Sequence, residues 1–188
     1  MTIEHGIWPV KIDIYEKNFN TGRKYMRDPF QNPFPESDAA RHSIWEMLVT
    51  RDIDAFLAAD WSMVADDFVE ESFIGIDGRR ETNPDKWRLT FPSLAVYRDE
   101  WLRQARDFAG QSFAEDPREA IFTTTTLEDI EVDGELALAR KKFDGGLKKA
   151  DGTFDVMKWQ TVYYCRLHRG RWKICGFTGY LPNPMGSN

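Results

Sequence analysis

The chain has 188 residues and a formal net charge of −6, and it is 41% hydrophobic, 30% charged and 14% aromatic. That length suits one domain with a sizeable core, and the acidic balance argues against a nucleic-acid partner, whose phosphates need clustered Lys and Arg. No apolar run approaches the roughly 20 residues that cross a bilayer, MTIEHGIWPVKIDIYE lacks the basic and apolar regions of a signal peptide, and two Cys make no disulfide framework; a cytoplasmic protein without membrane or nucleic-acid partners is expected.

Residues 1–40 form a distinct segment. Pro29, Pro33 and Pro35 oppose helix, while Trp8, Tyr15, Phe19, Tyr25, Phe30 and Phe34 are too aromatic for a disordered tail. An irregular arm laid against the body or a partner chain is predicted. From residue 38 the period becomes helical, with Ile44, Trp45, Leu48 and Val49 on one stripe and Ser37 or Asp38 as the cap. Ile53, Phe56 and Leu57 continue it, and DWSMVADDFVEE predicts a third short helix, capped by Asp60, with Val64 and Phe68 inward. SFIGIDG reads as a strand ending at Asp77-Gly78, and RRETNPDKWRLTFP as a loop. The clearest helix is SLAVYRDEWLRQARDF, where Leu94, Tyr97, Trp101, Ala105 and Phe108 share one face.

The remainder predicts a β-meander. EAIFTTTTLEDIEV, with Thr123 to Thr126 read as β-branched strand residues, runs into a two-residue turn at Asp133-Gly134. ELALARKKF follows, then a loop through DGGLKKADGT, then FDVMKWQTVYYCRL, a turn at Arg169-Gly170, and RWKICGFTGYL. Residues 183–188 are left as a tail.

Turn length sets register, and register sets which face each side chain joins. A two-residue Arg169-Gly170 turn pairs Leu167 with Trp172, Cys165 with Ile174, Tyr163 with Gly176, Thr161 with Thr178 and Trp159 with Tyr180, all on an inner face. Val162, Tyr164 and Phe177 then lie outside, and the two cysteines fall on opposite faces. A two-residue Asp151-Gly152 turn sets Leu136 against Leu167, Leu138 against Cys165, Arg140 against Tyr163 and Lys142 against Thr161, so the leucines and Arg140 also point inward. A buried guanidinium needs a partner or a wet cavity. A salt bridge to Asp66 or Asp67 would meet that need, and so would a pocket in which Arg140 orients a ligand oxygen.

Three short helices, a short strand, the helix containing YRDEW, and a meander with VDGELALAR and RGRWKICGF together resemble the NTF2-like superfamily, particularly SnoaL-like (polyketide cyclase and ketosteroid isomerase-like) proteins. The resemblance covers residues 41–182 and leaves the arm outside. It implies an α+β, cystatin-like cone: a curved antiparallel sheet wrapped around N-terminal helices, enclosing an apolar pocket. Members include isomerases, dehydratases, cyclases, hydrolases, small subunits of ring-hydroxylating oxygenases, and non-catalytic binding or assembly domains. Many are homodimers through the outer sheet face, which would cover Val162, Tyr164 and Phe177.

The candidate catalytic groups are Arg140 and Tyr163, which would polarise the oxygen of a small hydrophobic ligand. Tyr97, Trp101, Trp159, Thr161, Thr178 and Tyr180 are candidate ligand-binding residues, with His42 at the cavity mouth. A carboxylate base is not identified: Asp129 falls inward near a hairpin end, where solvation competes, and Asp66 and Asp67 close a short helix. Three scattered His predict no metal site. No phosphate loop, nucleophile elbow or Cys/His dyad is present in the sequence, so no cofactor is expected.

Overall fold

The computed structural model describes residues 27–186. Trp8, Tyr15, Phe19 and Tyr25 of the predicted arm therefore lie outside the described residues. Its last part lies on the body: Phe30 meets Phe122 with ring centroids 4.8 Å apart, and Asn32 Nδ2 donates to His42 O and Glu46 Oε1 at 3.1 and 2.9 Å.

Asp38 opens the first helix by accepting Arg41 N at 3.3 Å. Helix α1 (Ala39–Trp45) continues through a π-helical turn, Glu46–Arg51, into α2 (Asp52–Ala58). Ile44, Trp45, Leu48, Val49 and Ile53 are buried along one face. Three 3₁₀ turns replace the predicted third helix, with Asp60 capping the first and Val64 and Phe68 buried. Strand β1 (Ile74–Asp77) follows. Where a loop is predicted, the chain forms β2 (Arg88–Phe91); three of its four residues are exposed, so it carries no alternating apolar signal. Helix α3 (Leu94–Ala109) is capped by Ser93.

Residues 119–124, read from sequence as strand, are helical. Asp116 accepts Arg118 N at 2.8 Å, Pro117 suits the first helical turn, and α4 (Pro117–Thr124) results. The Thr run misleads because Thr124 and Thr125 bond their hydroxyls back to Ile121 O, at 3.0 and 2.7 Å, closing the helix before β3 (Thr125–Asp133) begins. Strand β4 (Leu136–Lys148) continues through DGGLKK, which is strand and not the predicted loop. Strands β5 (Phe154–His168) and β6 (Arg171–Leu181) complete an unclosed, curved sheet of order β2-β1-β6-β5-β4-β3. All pairings are antiparallel except β1 with β6, which is parallel.

Two registers differ from the predicted ones. The β4–β5 loop has three residues, 150–152, closed by Lys149 N donating to Thr153 O at 2.9 Å, with Gly152 in the left-handed region at φ 88. The β3–β4 turn is Gly134-Glu135, with Asp133 paired to Leu136. The first slip is a single residue, so the whole of β4 turns over; the second moves each partner by two, so β3 keeps its parity with β4 and turns with it. Leu136 and Leu138 are 64% and 48% exposed, while Ala137, Ala139 and Lys141 are buried. Arg140 pairs with Val162 across the ladder and points outward, 3.5 Å from the carboxylate of Asp129, which is also outward. Asp67 is held instead by Arg51, at 2.9 and 3.0 Å, and by Arg171 at 3.3 Å.

The β5–β6 hairpin starts in the predicted register, with His168 against Arg171 and Cys165 against Ile174, and then shifts. Tyr164 pairs with Gly176, so Cys175 is an extra residue, a β-bulge. A Cβ on Gly176 would lie 2.5 Å from Ile74 O, so only glycine permits this close approach. Beyond the bulge the parity reverses: Phe177 is inside and 3% exposed, opposite Tyr163, while Thr178 is outside and bonds Tyr164 OH at 2.6 Å. Cys165 and Cys175 are free thiols.

Candidate functional site

A cavity of about 380 Å³ lies between α2, α3 and the inner sheet face, within the usual range for small-molecule sites. Helix α3 supplies Tyr97, Trp101 and Phe108, α2 supplies Phe56, and the sheet supplies Phe91, Phe143, Trp159, Tyr163 and Phe177. Edge and tilted ring contacts hold this wall together: Phe56 with Trp101 at 5.6 Å, Tyr97 with Phe177 at 4.9 Å, and Tyr163 with Phe177 at 6.0 Å.

Among the charged residues that line this aromatic space, Lys141 and Asp52 form a pair. Lys141 is 1% exposed, and its ammonium donates to Asp52 Oδ2 at 2.7 Å and to Leu48 O at 2.5 Å. Its nitrogen also lies 5.1 Å from the Phe143 ring centroid. Leu48 O is available because the π-helical turn interrupts the regular i to i−4 ladder, a feature frequent at functional sites. Asp52 lines the cavity at the first residue of α2, with its side chain 29% exposed. Burial pushes the phenols of Tyr97 and Tyr163 well above their usual pKa, and the Asp52 charge pushes in the same direction. Both phenols therefore stay protonated and can donate, and neither hydroxyl has a hydrogen-bond partner among the described residues. Tyr180 OH, by contrast, donates to Gln104 Oε1 at 3.0 Å.

Of the residues singled out from sequence, Tyr97, Trp101, Trp159, Thr161, Tyr163 and Tyr180 line this cavity. Arg140 does not, because β4 is inverted relative to the prediction; Thr178 does not, because the Cys175 bulge turns it outward. His42 is on α1 away from the cavity lining, its carbonyl engaged by Asn32. Sequence reasoning missed Asp52 and Lys141. A signal for Asp52 existed: it sits four residues after Leu48 and four before Phe56, a carboxylate in an apolar stripe. Lys141 was one position from the residue chosen.

A curved, unclosed six-stranded sheet against helices, with an aromatic hollow between them, decides the fold. The chain has the NTF2-like fold. No protein-family model and no curated protein matches its sequence. Among solved structures, an NTF2-like protein of unknown function from Pseudomonas putida KT2440 superposes with a TM-score of 0.51 at 15% identity, over 77% of this chain and 87% of that one. An NTF2-like superfamily protein from Salmonella enterica serovar Typhimurium LT2 gives 0.50 at 14% identity, over 78% and 93%. These similarities establish the NTF2-like architecture and no activity. Among the described residues, no group of three or more His, Cys, Asp or Glu is placed to hold a metal, and no helix is long and apolar enough to cross a membrane.

Proposed function

We propose that this chain is a SnoaL-like small-molecule protein whose cavity takes a hydrophobic or aromatic ligand bearing an oxygen function, and that it moves a proton without a cofactor. One observation carries this reading: the Asp52 carboxylate opens into an aromatic cavity beside two protonated phenols that have no hydrogen-bond partner among the described residues. In that geometry Tyr97 and Tyr163 donate to the ligand's carbonyl oxygen, and the charge that develops there is stabilised by donors already in place. The other oxygen of Asp52, not held by Lys141, accepts the proton next to that carbonyl. Lys141 holds the carboxylate in position.

The test is deuterium uptake at the α-carbon of α-tetralone in D2O, followed by proton NMR. Wild type is expected to exceed the buffer rate, and Tyr163→Phe to lower the excess by about 10²-fold, the usual loss for one oxyanion donor. Uptake at the buffer rate, alongside ligand-induced thermal stabilisation, would leave binding without catalysis. The Asp52–Lys141 ion pair favours that second reading, because it commits one carboxylate oxygen to a structural partner.

The same reading includes a homodimer through the outer sheet face. Phe177 is buried inside and is removed from that surface; Val162 and Tyr164 remain, joined by the exposed Leu136, Leu138 and Ile74. Light scattering is expected to give twice the chain mass for wild type and the single mass for Leu138→Glu. A monomeric wild type removes this part of the proposal.

A further inference from the structure

Arg80, Phe91, Gln104 and Tyr180 line the cavity on one side and an open surface hollow on the other, so the two spaces share a wall. Arg79 and Arg80 form the corner of that wall. Both have left-handed backbones, φ 53 and 57, which bulky residues adopt at a cost and keep only when neighbours enforce them. Here the enforcing bonds are Arg79 N to Asp77 Oδ1 at 2.7 Å, Arg80 N to Tyr180 O at 2.7 Å, and Glu81 N to Gly78 O at 2.8 Å. The corner is thus fixed by main-chain bonds that leave both guanidinium groups uncommitted.

Neither guanidinium forms a salt bridge within the described residues; that of Arg80 lies over the Trp159 ring, 5.2 Å from its centroid. Of the hollow's two carboxylates, Glu100 is paired with Arg103 at 2.7 Å and bonded by Gln104 at 2.8 Å, while Asp77 accepts Arg79 N and keeps its charge, one carboxylate against the two guanidinium groups. At the deep end, the cation of Lys141 is matched by Asp52. Of the other charged groups lining the cavity, Asp107 is paired with Arg103 and Asp155 with Lys149, so the cations without an ion-pair partner among the described residues are at the mouth, beside an indole that lines the aromatic cavity.

We propose that the site takes an aromatic carboxylic acid, its ring in the cavity and its carboxylate on Arg80, with Arg79 adding to the local field. A planar guanidinium fork matches a carboxylate in two hydrogen bonds, and stacking on Trp159 presents the fork edge-on. This inference rests on the binding reading above and adds the charge class of the ligand.

The experiment compares 1-naphthaleneacetate with 1-naphthaleneacetamide, equal in shape and different in charge, by calorimetric titration of the full chain. Wild type is expected to bind the acid about tenfold more tightly than the amide, as a charge-assisted pair implies. In Arg80→Gln, whose fold is checked by an unchanged melting transition, the ratio is expected to fall to near one. Equal affinities in wild type would overturn the inference and leave the cavity reading standing. A preference that survives Arg80→Gln would also overturn it, and its loss in Lys141→Met would place the anion at the deep end instead. If neither probe binds, the cavity reading fails and takes this inference with it.

Discussion

Asp52→Asn is expected to lower stability by about 3–5 kcal/mol, the range seen when one member of a buried ion pair is removed. The cause is Lys141, whose side chain is 1% exposed and would keep its charge facing only Leu48 O and the Phe143 ring. Lys141→Met alone should cost less, about 1–2 kcal/mol, because Asp52 is 29% exposed and can be rehydrated from the cavity. The double variant Asp52→Asn with Lys141→Met should return to within about 1 kcal/mol of wild type, since no charge is then left buried and Met approximates the volume of Lys. Urea midpoints at constant slope measure all three. If the single effects simply add, the two side chains are not coupled and the pair does not hold the inner end of the site.

Phe177→Ala is expected to cost about 3–5 kcal/mol, and Leu138→Ala less than about 1 kcal/mol. Phe177 is 3% exposed and its ring touches those of Phe73, Phe91, Tyr97 and Tyr163. Leu138 is 48% exposed on the opposite face. A ladder with two-residue turns and no bulge would reverse that order, putting Leu138 in the core and Phe177 at the surface. Thermal or urea unfolding of the two variants therefore reads the register of three strands. Equal losses would contradict the faces assigned to β4 and β6.

The parts of the fold that sequence made legible are those where local pattern and tertiary environment agree. Asp38 and Asp60 cap where a side-chain acceptor precedes an apolar period, and the α3 stripe from Leu94 to Phe108 faces inward as its spacing implies. Strand β2 and helix α4 were not legible, the first because it is mostly exposed, the second because a Thr run has strand propensity while its hydroxyls close a helix. The aromatic lining was read from helical spacing and from the β5 side of one hairpin. The charged pair was not, because its position depends on parity. Of the two turn assumptions that agreed on the inner face, Arg169-Gly170 is as read and Asp151-Gly152 is one residue short, and that single residue inverts β4.

The loop at residues 150–152 lies on the surface, where chains ordinarily tolerate insertion and deletion well. Here its length selects which of two adjacent cations enters the cavity. Deleting one residue from it and allowing β4 to re-pair would exchange Lys141 for Arg140 at the cavity, and the small Ala137 and Ala139 for Leu136 and Leu138 on the inner sheet face beside it. An indel at a solvent-facing tip thereby changes the cation and the bulk presented to the interior without a single substitution among the residues that face it.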